Sequence, residues 1–177
     1  MKIYITILLF ISFCCYSTPT NDIQTCEFNG GYKVQLVSRQ TVDGDSLYLK
    51  FKEKIMNAFS DGDDSTSGEV VLAKCINHAL IFSLNYGSPY LKGCLITESK
   101  KTTNNQSSLD RQCFSEKNTP ESVWFGKYNT LIVIYNSSGI GEWSGKYIIY
   151  DNAREDAYAS NVLPKKTGYD IYYIKSN

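Results

Sequence analysis

The chain has 177 residues, a formal net charge of zero and an aromatic content of 14%. A neutral chain offers no electrostatic basis for binding nucleic acid or an anionic membrane surface, so we expect neither partner. The many Tyr and Phe residues favour β-strands, and the length suits one domain after removal of an N-terminal leader.

The first seventeen residues have the layout of a secretory signal peptide. Lys2 makes the start basic, Ile5 to Phe13 is an almost unbroken apolar run, and the small residues Cys15 and Ser17 follow it. The run is short for a bilayer span, and an uncleaved membrane anchor is the alternative. We therefore expect a signal peptide at 1–17, a single secreted, extracellular domain at 18–177, and no membrane span in the mature chain.

Short strand patterns follow one another along the mature chain. Alternating apolar residues predict strands at 32–37 and 46–51, and the segment 52–59 fits either a bulged strand or a short helix. The acidic stretch Asp61 to Gly68 predicts an exposed loop, because Thr66 and Leu72 occupy positions where a calcium-binding EF-hand loop needs Gly and Glu. Further strands are expected at 70–72, 79–82 and 90–96.

The last third of the chain contains the clearest predicted hairpin. Leu131–Tyr135 is continuously apolar, Asn136–Gly139 is a turn signal, and 146–150 is the returning strand. A final strand is expected at 168–174. About nine short strands with Gly, Asn and Asp turns, and no convincing helix, predict an all-β fold, either an antiparallel barrel or a sandwich.

Four of the six cysteines remain after the leader is removed: Cys26, Cys75, Cys94 and Cys113. An even number in an oxidising compartment predicts two disulfides that stabilise the domain, and three pairings are open. A zinc site is the alternative, but the chain has no CxxC pair and a single histidine. We expect no metal and no cofactor.

Two N-glycosylation sequons stand in polar, turn-like stretches. They begin at Asn105 and Asn136. Exposed positions of this kind suit a bulky sugar, so the sequence predicts a glycoprotein.

Signs of catalysis are weak along the whole chain. A Ser-His-Asp or Cys-His arrangement would have to use His78, which stands among apolar residues beside Cys75 and fits a structural role. The carboxylates that could form a glycosidase pair fall in polar runs typical of solvated surface. We expect no catalytic residues and a protein that is not an enzyme, with a secreted enzyme of unrecognised type as an alternative.

Four aromatic residues around the predicted hairpin are candidate binding residues: Trp124, Trp143, Tyr147 and Tyr150. Tyr and Trp are the usual anchors of interfaces. In β-proteins they also pack in cores or as cross-strand pairs, which is the alternative for each of them.

The stretch from Cys26 to about Trp124 resembles the netrin-like module, the OB-type barrel found in tissue inhibitors of metalloproteinases. The features occur in the family's order: a cysteine before the first strand, a long second strand, a third strand leading to a cysteine, a run similar to G-x-x-Y-L-x-x-G, and a later cysteine. In this chain they are Cys26, 46–59, Glu69–Cys75, Gly87–Gly93 and Cys113. The resemblance implies an OB-like barrel and a protein that binds or inhibits an extracellular protein.

Two departures limit what the resemblance implies. Inhibitors of this family chelate the protease zinc through an N-terminal cysteine in a Cys-x-Cys, whereas here residues 18–25 precede a single Cys26.

Residues 125–177 lie outside the netrin-like part (26–124) and are expected to add β-strands. These faintly resemble the closing strands of a lipocalin, which implies a lipocalin-like barrel and a carrier of a small hydrophobic ligand as the alternative. We expect a monomer whose partner is an extracellular protein or a small apolar ligand.

Overall fold

The computed structural model describes residues 20–59, 66–87, 89–99, 108–136, 143–154 and 156–174. The expected signal peptide and the sequon at Asn105 lie outside these ranges. The described residues form antiparallel β-strands and one short 3₁₀ turn, with no α-helix among them, so the all-β prediction is confirmed. No helix in these ranges is long and apolar enough to cross a membrane.

The strands belong to two antiparallel sheets. The first has eight strands in the order β1-β2-β3-β5-β6-β7-β8, with β4 paired to β3, and the second has five in the order β12-β11-β10-β9-β13. The strand bounds are β1 Asn21–Glu27, β2 Lys33–Thr41, β3 Gly44–Phe51, β4 Lys54–Asn57, β5 Ser67–Ile76, β6 Ala79–Asn85, β7 Leu91–Glu98, β8 Leu109–Glu116, β9 Pro120–Gly126, β10 Thr130–Tyr135, β11 Tyr147–Asp151, β12 Asp156–Ser160 and β13 Tyr169–Tyr173.

The first sheet folds over on itself. Its halves, β1–β4 and β5–β8, are joined among the described residues by two residue pairs of β3 and β5, at Asp45–Gly68 and Ser46–Ser67. At this corner a Cβ on Gly68 would overlap the backbone oxygen of Asn85, so the close approach of the strands requires glycine. The fold brings one apolar face of each half against the other.

A first hydrophobic core fills the space between these two halves. Leu36 and Leu49 from one half meet Leu80, Phe82 and Ile96 from the other, and all are fully buried. Tight packing of this kind is the main source of stability in β-proteins of this size.

The second half of the first sheet is a middle layer that is buried on both faces. Its other face, which includes Ile81 and Leu95, packs against Val123, Ile132 and Ile148 of the second sheet. Burial on both faces explains why Ala79–Phe82 of β6 is a continuous apolar run and not an alternating one.

A third, smaller core lies on the outer face of the second sheet. Trp124, Leu131, Val133 and Ile149 are buried there. The segment 161–168 joins β12 at one edge of this sheet to β13 at the other, and its Leu163 packs on this core. Eight residues reach about 26 Å, enough to cross five strands that span about 19 Å.

Both expected disulfides are present. Cys26–Cys75 joins β1 to β5 and so connects the two halves of the first sheet. Cys94–Cys113 joins directly opposed residues of β7 and β8.

Most of the expected strands are present, and the predicted hairpin of β10 and β11 is confirmed, with pairs from Leu131–Asp151 to Tyr135–Tyr147. The segment 52–59 resolves as the short strand β4. The change from the first sheet to the second falls between Glu116 and Pro120.

Candidate functional site: grooves between the middle layer and the second sheet

A groove of about 650 Å³ lies between the middle layer and the second sheet. This volume falls within the range of ordinary ligand sites, about 300–1,000 Å³. Asp110 and Gln112 of β8 line it from the middle layer, and Trp143, Tyr150 and Asp156 line it from the second sheet.

The strand alternation of β8 places Gln112 in this groove. Cys113 pairs with Cys94 on the side of the first core, so Gln112, opposite Leu95, faces the second sheet. Its Nε2 donates hydrogen bonds to the backbone oxygens of Thr130 at 3.3 Å and Tyr150 at 3.0 Å. Gln112 therefore connects the middle layer to β10 and β11 of the second sheet.

Tyr150 forms a rigid wall of the groove. Its hydroxyl donates to Oε1 of Glu116 at 2.7 Å and accepts from the backbone N–H of Ser115 at 3.4 Å, while its ring packs edge-on against Phe114. Burial, reinforced by the hydrogen bond to Glu116, raises the pKa of Tyr150 far above its ordinary value. The hydroxyl is therefore neutral and fixed at physiological pH.

Trp143, the other aromatic side chain in the groove, is held through its backbone. Nδ2 of Asn136 donates to the backbone oxygens of Trp143 at 3.2 Å and Gly145 at 3.0 Å. A sequon sugar attaches to this same nitrogen and replaces one of its two hydrogens, so a glycan at Asn136 leaves room for only one of the two bonds. The glycosylation of Asn136 stays a prediction.

The carboxylates around the groove differ in how far their charge is compensated. Asp151 is buried and accepts hydrogen bonds from Asn129 at 3.0 Å and from the backbone N–H of Ala153 at 3.1 Å, with Arg154 at 3.6 Å. Asp110 and Asp156 are exposed, and neither forms an ion pair within the part of the chain that the structure describes. These two side chains give the rim a negative charge.

A second groove of about 640 Å³ continues from the first, and both share Asp110 and Thr130. It adds two further carboxylates, Glu98 and Asp170. At its edge the hairpin between β9 and β10 presents Tyr128, which is 82% exposed. The two grooves form one channel whose lining holds more carboxylates than cations, the cations being Arg111 and Lys127.

His78 occupies a different setting from the apolar one expected from its neighbours in sequence. Asn77 and His78 form the two-residue turn between β5 and β6, with φ angles of 42° and 57°. Left-handed conformations at both positions are typical of a type I′ hairpin turn, and they leave His78 exposed. Its Nδ1 lies 3.4 Å from the backbone oxygen of Glu27, and among the described residues no hydrogen bond joins it to a Ser or Cys.

The structure brings together two of the four candidate aromatic residues. Trp143 and Tyr150 both line the groove, whereas Trp124 is fully buried in the third core. Trp124 donates from Nε1 to Oγ of Ser122 at 2.8 Å, so its polar atom is satisfied inside the fold. Tyr147 lies on the opposite face of the second sheet from the groove.

Sequence reasoning missed Asp110, Gln112 and Asp156 as groove residues. Asp110 and Gln112 are two residues apart, so they lie on the same face of β8, and this spacing could have been recognised in the sequence. Nothing local indicates that Asp156 joins them, because β8 and β12 belong to different sheets.

No family model, curated protein or solved structure matches this chain. Among the described residues, no group of three or more His, Cys, Asp or Glu is arranged to hold a metal ion. The netrin-like and lipocalin-like resemblances stay predictions, and the geometry of the grooves is the basis for a functional proposal.

Proposed function

We propose that this chain is a secreted, non-enzymatic binding protein that captures a basic segment of another extracellular protein in the groove. The observation that supports this is the combination of the aromatic walls, Trp143 and Tyr150, with the exposed carboxylates of Asp110 and Asp156. Aromatic side chains supply contact area at low entropic cost, and rim charges steer and orient a partner of opposite charge.

The charge is local, which favours a specific partner over general attraction to cations. The whole chain has a formal net charge of zero, whereas the lining of the two grooves carries five carboxylates, Glu98, Asp110, Asp151, Asp156 and Asp170, against two cations, Arg111 and Lys127. A basic segment would meet these carboxylates first and then the aromatic walls. Inhibition would follow where the captured segment is one that the partner needs for its own activity.

A carrier of a small apolar ligand has less support. Such a ligand would have to desolvate groove carboxylates without offering them a hydrogen bond or a charge, which costs free energy. The extracellular location is inferred from the leader-like residues 1–17 and from two disulfides, which form in oxidising compartments.

The test is a titration with the heptapeptide acetyl-Gly-Lys-Gly-Lys-Gly-Lys-Gly-amide, followed by tryptophan emission. Trp124 is fully buried, so the change in emission is expected from Trp143, and a Trp143→Phe variant should abolish it. The variant Asp110→Asn/Asp156→Asn should weaken binding on the order of tenfold at low salt.

A matched control removes the same charge elsewhere. Asp22→Asn/Glu53→Gln changes two exposed carboxylates of β1 and the β3–β4 turn, outside both grooves. It should leave the affinity unchanged. Equal weakening by the control, or preference for a glutamate peptide of the same length, would overturn the proposal.

A further inference from the structure

Strand β13 forms one edge of the second sheet. It pairs with β9 in continuous register from Tyr169–Gly126 to Tyr173–Ser122, and no other described strand lies on its far side. Natural β-proteins protect such edges with Lys, Pro or a bulge, because an open row of backbone groups can pair with another strand. None of these devices occurs within β13, so its edge is a candidate interaction surface.

The hydrogen bond at the end of β13 shows which of its backbone groups face outward. The N–H of Ile174 donates to the backbone oxygen of Glu121 in β9 at 2.7 Å, so Ile174 faces β9. Along an antiparallel strand the backbone groups of successive residues point alternately to one side and the other. Tyr172 therefore also faces β9, whereas Ile171 and Tyr173 direct both their N–H and their C=O away from it.

The outward groups form a small unpaired set. Tyr169 faces outward as well, but its N–H donates to the backbone oxygen of Lys166 at 3.2 Å in the turn before β13. The backbone groups of Ile171 and Tyr173 have no backbone partner among the described residues. The side chain of Tyr173 is 56% exposed, so solvent reaches this end of the edge. The edge thus offers two donors and two acceptors.

We infer that the edge of β13 is a self-association surface, at which two copies of this chain pair as antiparallel strands about Tyr172. In this register Ile171 of each copy lies opposite Tyr173 of the other. The two outward donors of each copy then meet the two outward acceptors of the other, which makes four hydrogen bonds and leaves none of these groups unpaired. The inference is independent of the proposed function, and it differs from the monomer expected from the sequence.

The side chains of β13 favour a second copy in this register. Ile171 would pack beside Tyr173 of the second copy, and Tyr172 beside its equivalent, which are favourable cross-strand pairs. The one charge of the strand, Asp170, would lie four residues along from its equivalent, about 13 Å away and beyond the screening length at physiological salt. A register shifted towards Tyr169 would instead press the second copy against the turn at Lys166.

The dimer would place two binding channels on one side of a single sheet. Residues that lie directly opposite each other on paired strands point to the same face. Asp170 lines the channel, so the channels of both copies would open on the same face of a sheet with five strands from each copy. A ligand with two basic segments could then engage both copies at once.

The experiment is sedimentation velocity of the secreted chain over a series of concentrations. A reversible equilibrium between monomer and dimer is expected, with a micromolar dissociation constant because the interface is small. Tyr173→Pro removes an outward N–H and leaves the hydrogen bonds to β9, so it should raise the dissociation constant about tenfold or more. The matched control Tyr173→Phe keeps the N–H and should stay within about twofold of the parent chain.

Amide hydrogen exchange on the unmodified chain supplies a second measurement that needs no variant. The amides of Ile171 and Tyr173 should exchange more slowly as the concentration rises, because they are bonded only in the dimer. The amide of Tyr172 is bonded to β9 in both states, so it should be protected at every concentration. This alternation decides the matter even where Tyr173→Pro fails to fold.

Three results would overturn the inference. They are a monomer at the highest soluble concentration, a dimer that Tyr173→Pro leaves intact, and a dimer in which the exchange of the Ile171 and Tyr173 amides does not depend on concentration. Each result leaves binding of the lysine heptapeptide in the groove as a separate question, so the failure of one proposal is distinguishable from the failure of the other.

Discussion

The two disulfides should contribute unequally to stability because they close loops of different length. Cys26 and Cys75 are 49 residues apart, and Cys94 and Cys113 are 19 apart. In the chain-entropy model these separations correspond to about 4 and about 3 kcal/mol of unfolding free energy, a difference of about 0.8 kcal/mol. We therefore expect Cys26→Ala/Cys75→Ala to be less stable than Cys94→Ala/Cys113→Ala.

The two double variants are well matched in packing. Each removes one fully buried sulfur, at Cys26 (1% exposed) or Cys94 (0%), together with a more exposed partner. Urea unfolding at neutral pH, monitored by the emission of Trp124, gives the free energy of each variant by linear extrapolation. Equal losses, or a larger loss for the Cys94–Cys113 pair, would refute the argument from loop length and point to local packing between β7 and β8 as the dominant contribution.

Three further changes test the cores and the groove. Trp124→Ala should lower the unfolding free energy by about 3–5 kcal/mol in urea titrations, because it empties the third core; a loss below about 1 kcal/mol would contradict this. The pKa of Tyr150 is raised in the folded state, so its contribution to the free energy of unfolding is fully present below about pH 10 and is lost as the pH rises further. In urea titrations above pH 10, the free energy of unfolding of Tyr150→Phe should therefore fall less steeply with pH than that of the parent chain. Asn136→Ala removes the hydrogen bonds to the backbone oxygens of Trp143 and Gly145. It should therefore red-shift the emission of Trp143 and weaken binding of the lysine heptapeptide. Unchanged emission would show that other contacts hold this loop.

The strands that could be predicted from sequence are those with a strong apolar signal. The hairpin of β10 and β11 is an example, because Leu131–Tyr135 is uniformly apolar and a turn signal follows it directly. Strand β1 is not among the strands predicted from the sequence. It is an edge strand whose sequence contains a single strongly buried residue, Cys26, so hydrophobic periodicity gives almost no signal.

The groove could be anticipated only in part. Trp143 and Tyr150 were singled out because of their residue types and their closeness to the hairpin. Gln112 could not be linked to them, since its contacts with Thr130 and Tyr150 depend on how two sheets stack. Trp124 has the same residue type as Trp143 but lies on the other face of the second sheet, where it packs in the core.

The placement of β13 beside β9 affects the order in which the protein can assemble during synthesis. Strands β9 to β12 follow one another as neighbours, but the edge of β9 is completed by Tyr169–Tyr173, near the end of the sequence. At typical synthesis rates of about 5–20 residues per second, that edge waits seconds for its partner. During this interval Trp124 lacks the contact of Tyr169, so an unfinished chain presents an apolar surface that a folding chaperone would recognise. Strand β13 therefore acts as a completion step: a chain that stops before residue 169 retains every cysteine of both disulfides and still lacks the Tyr169 and Ile171 side chains that pack on the third core.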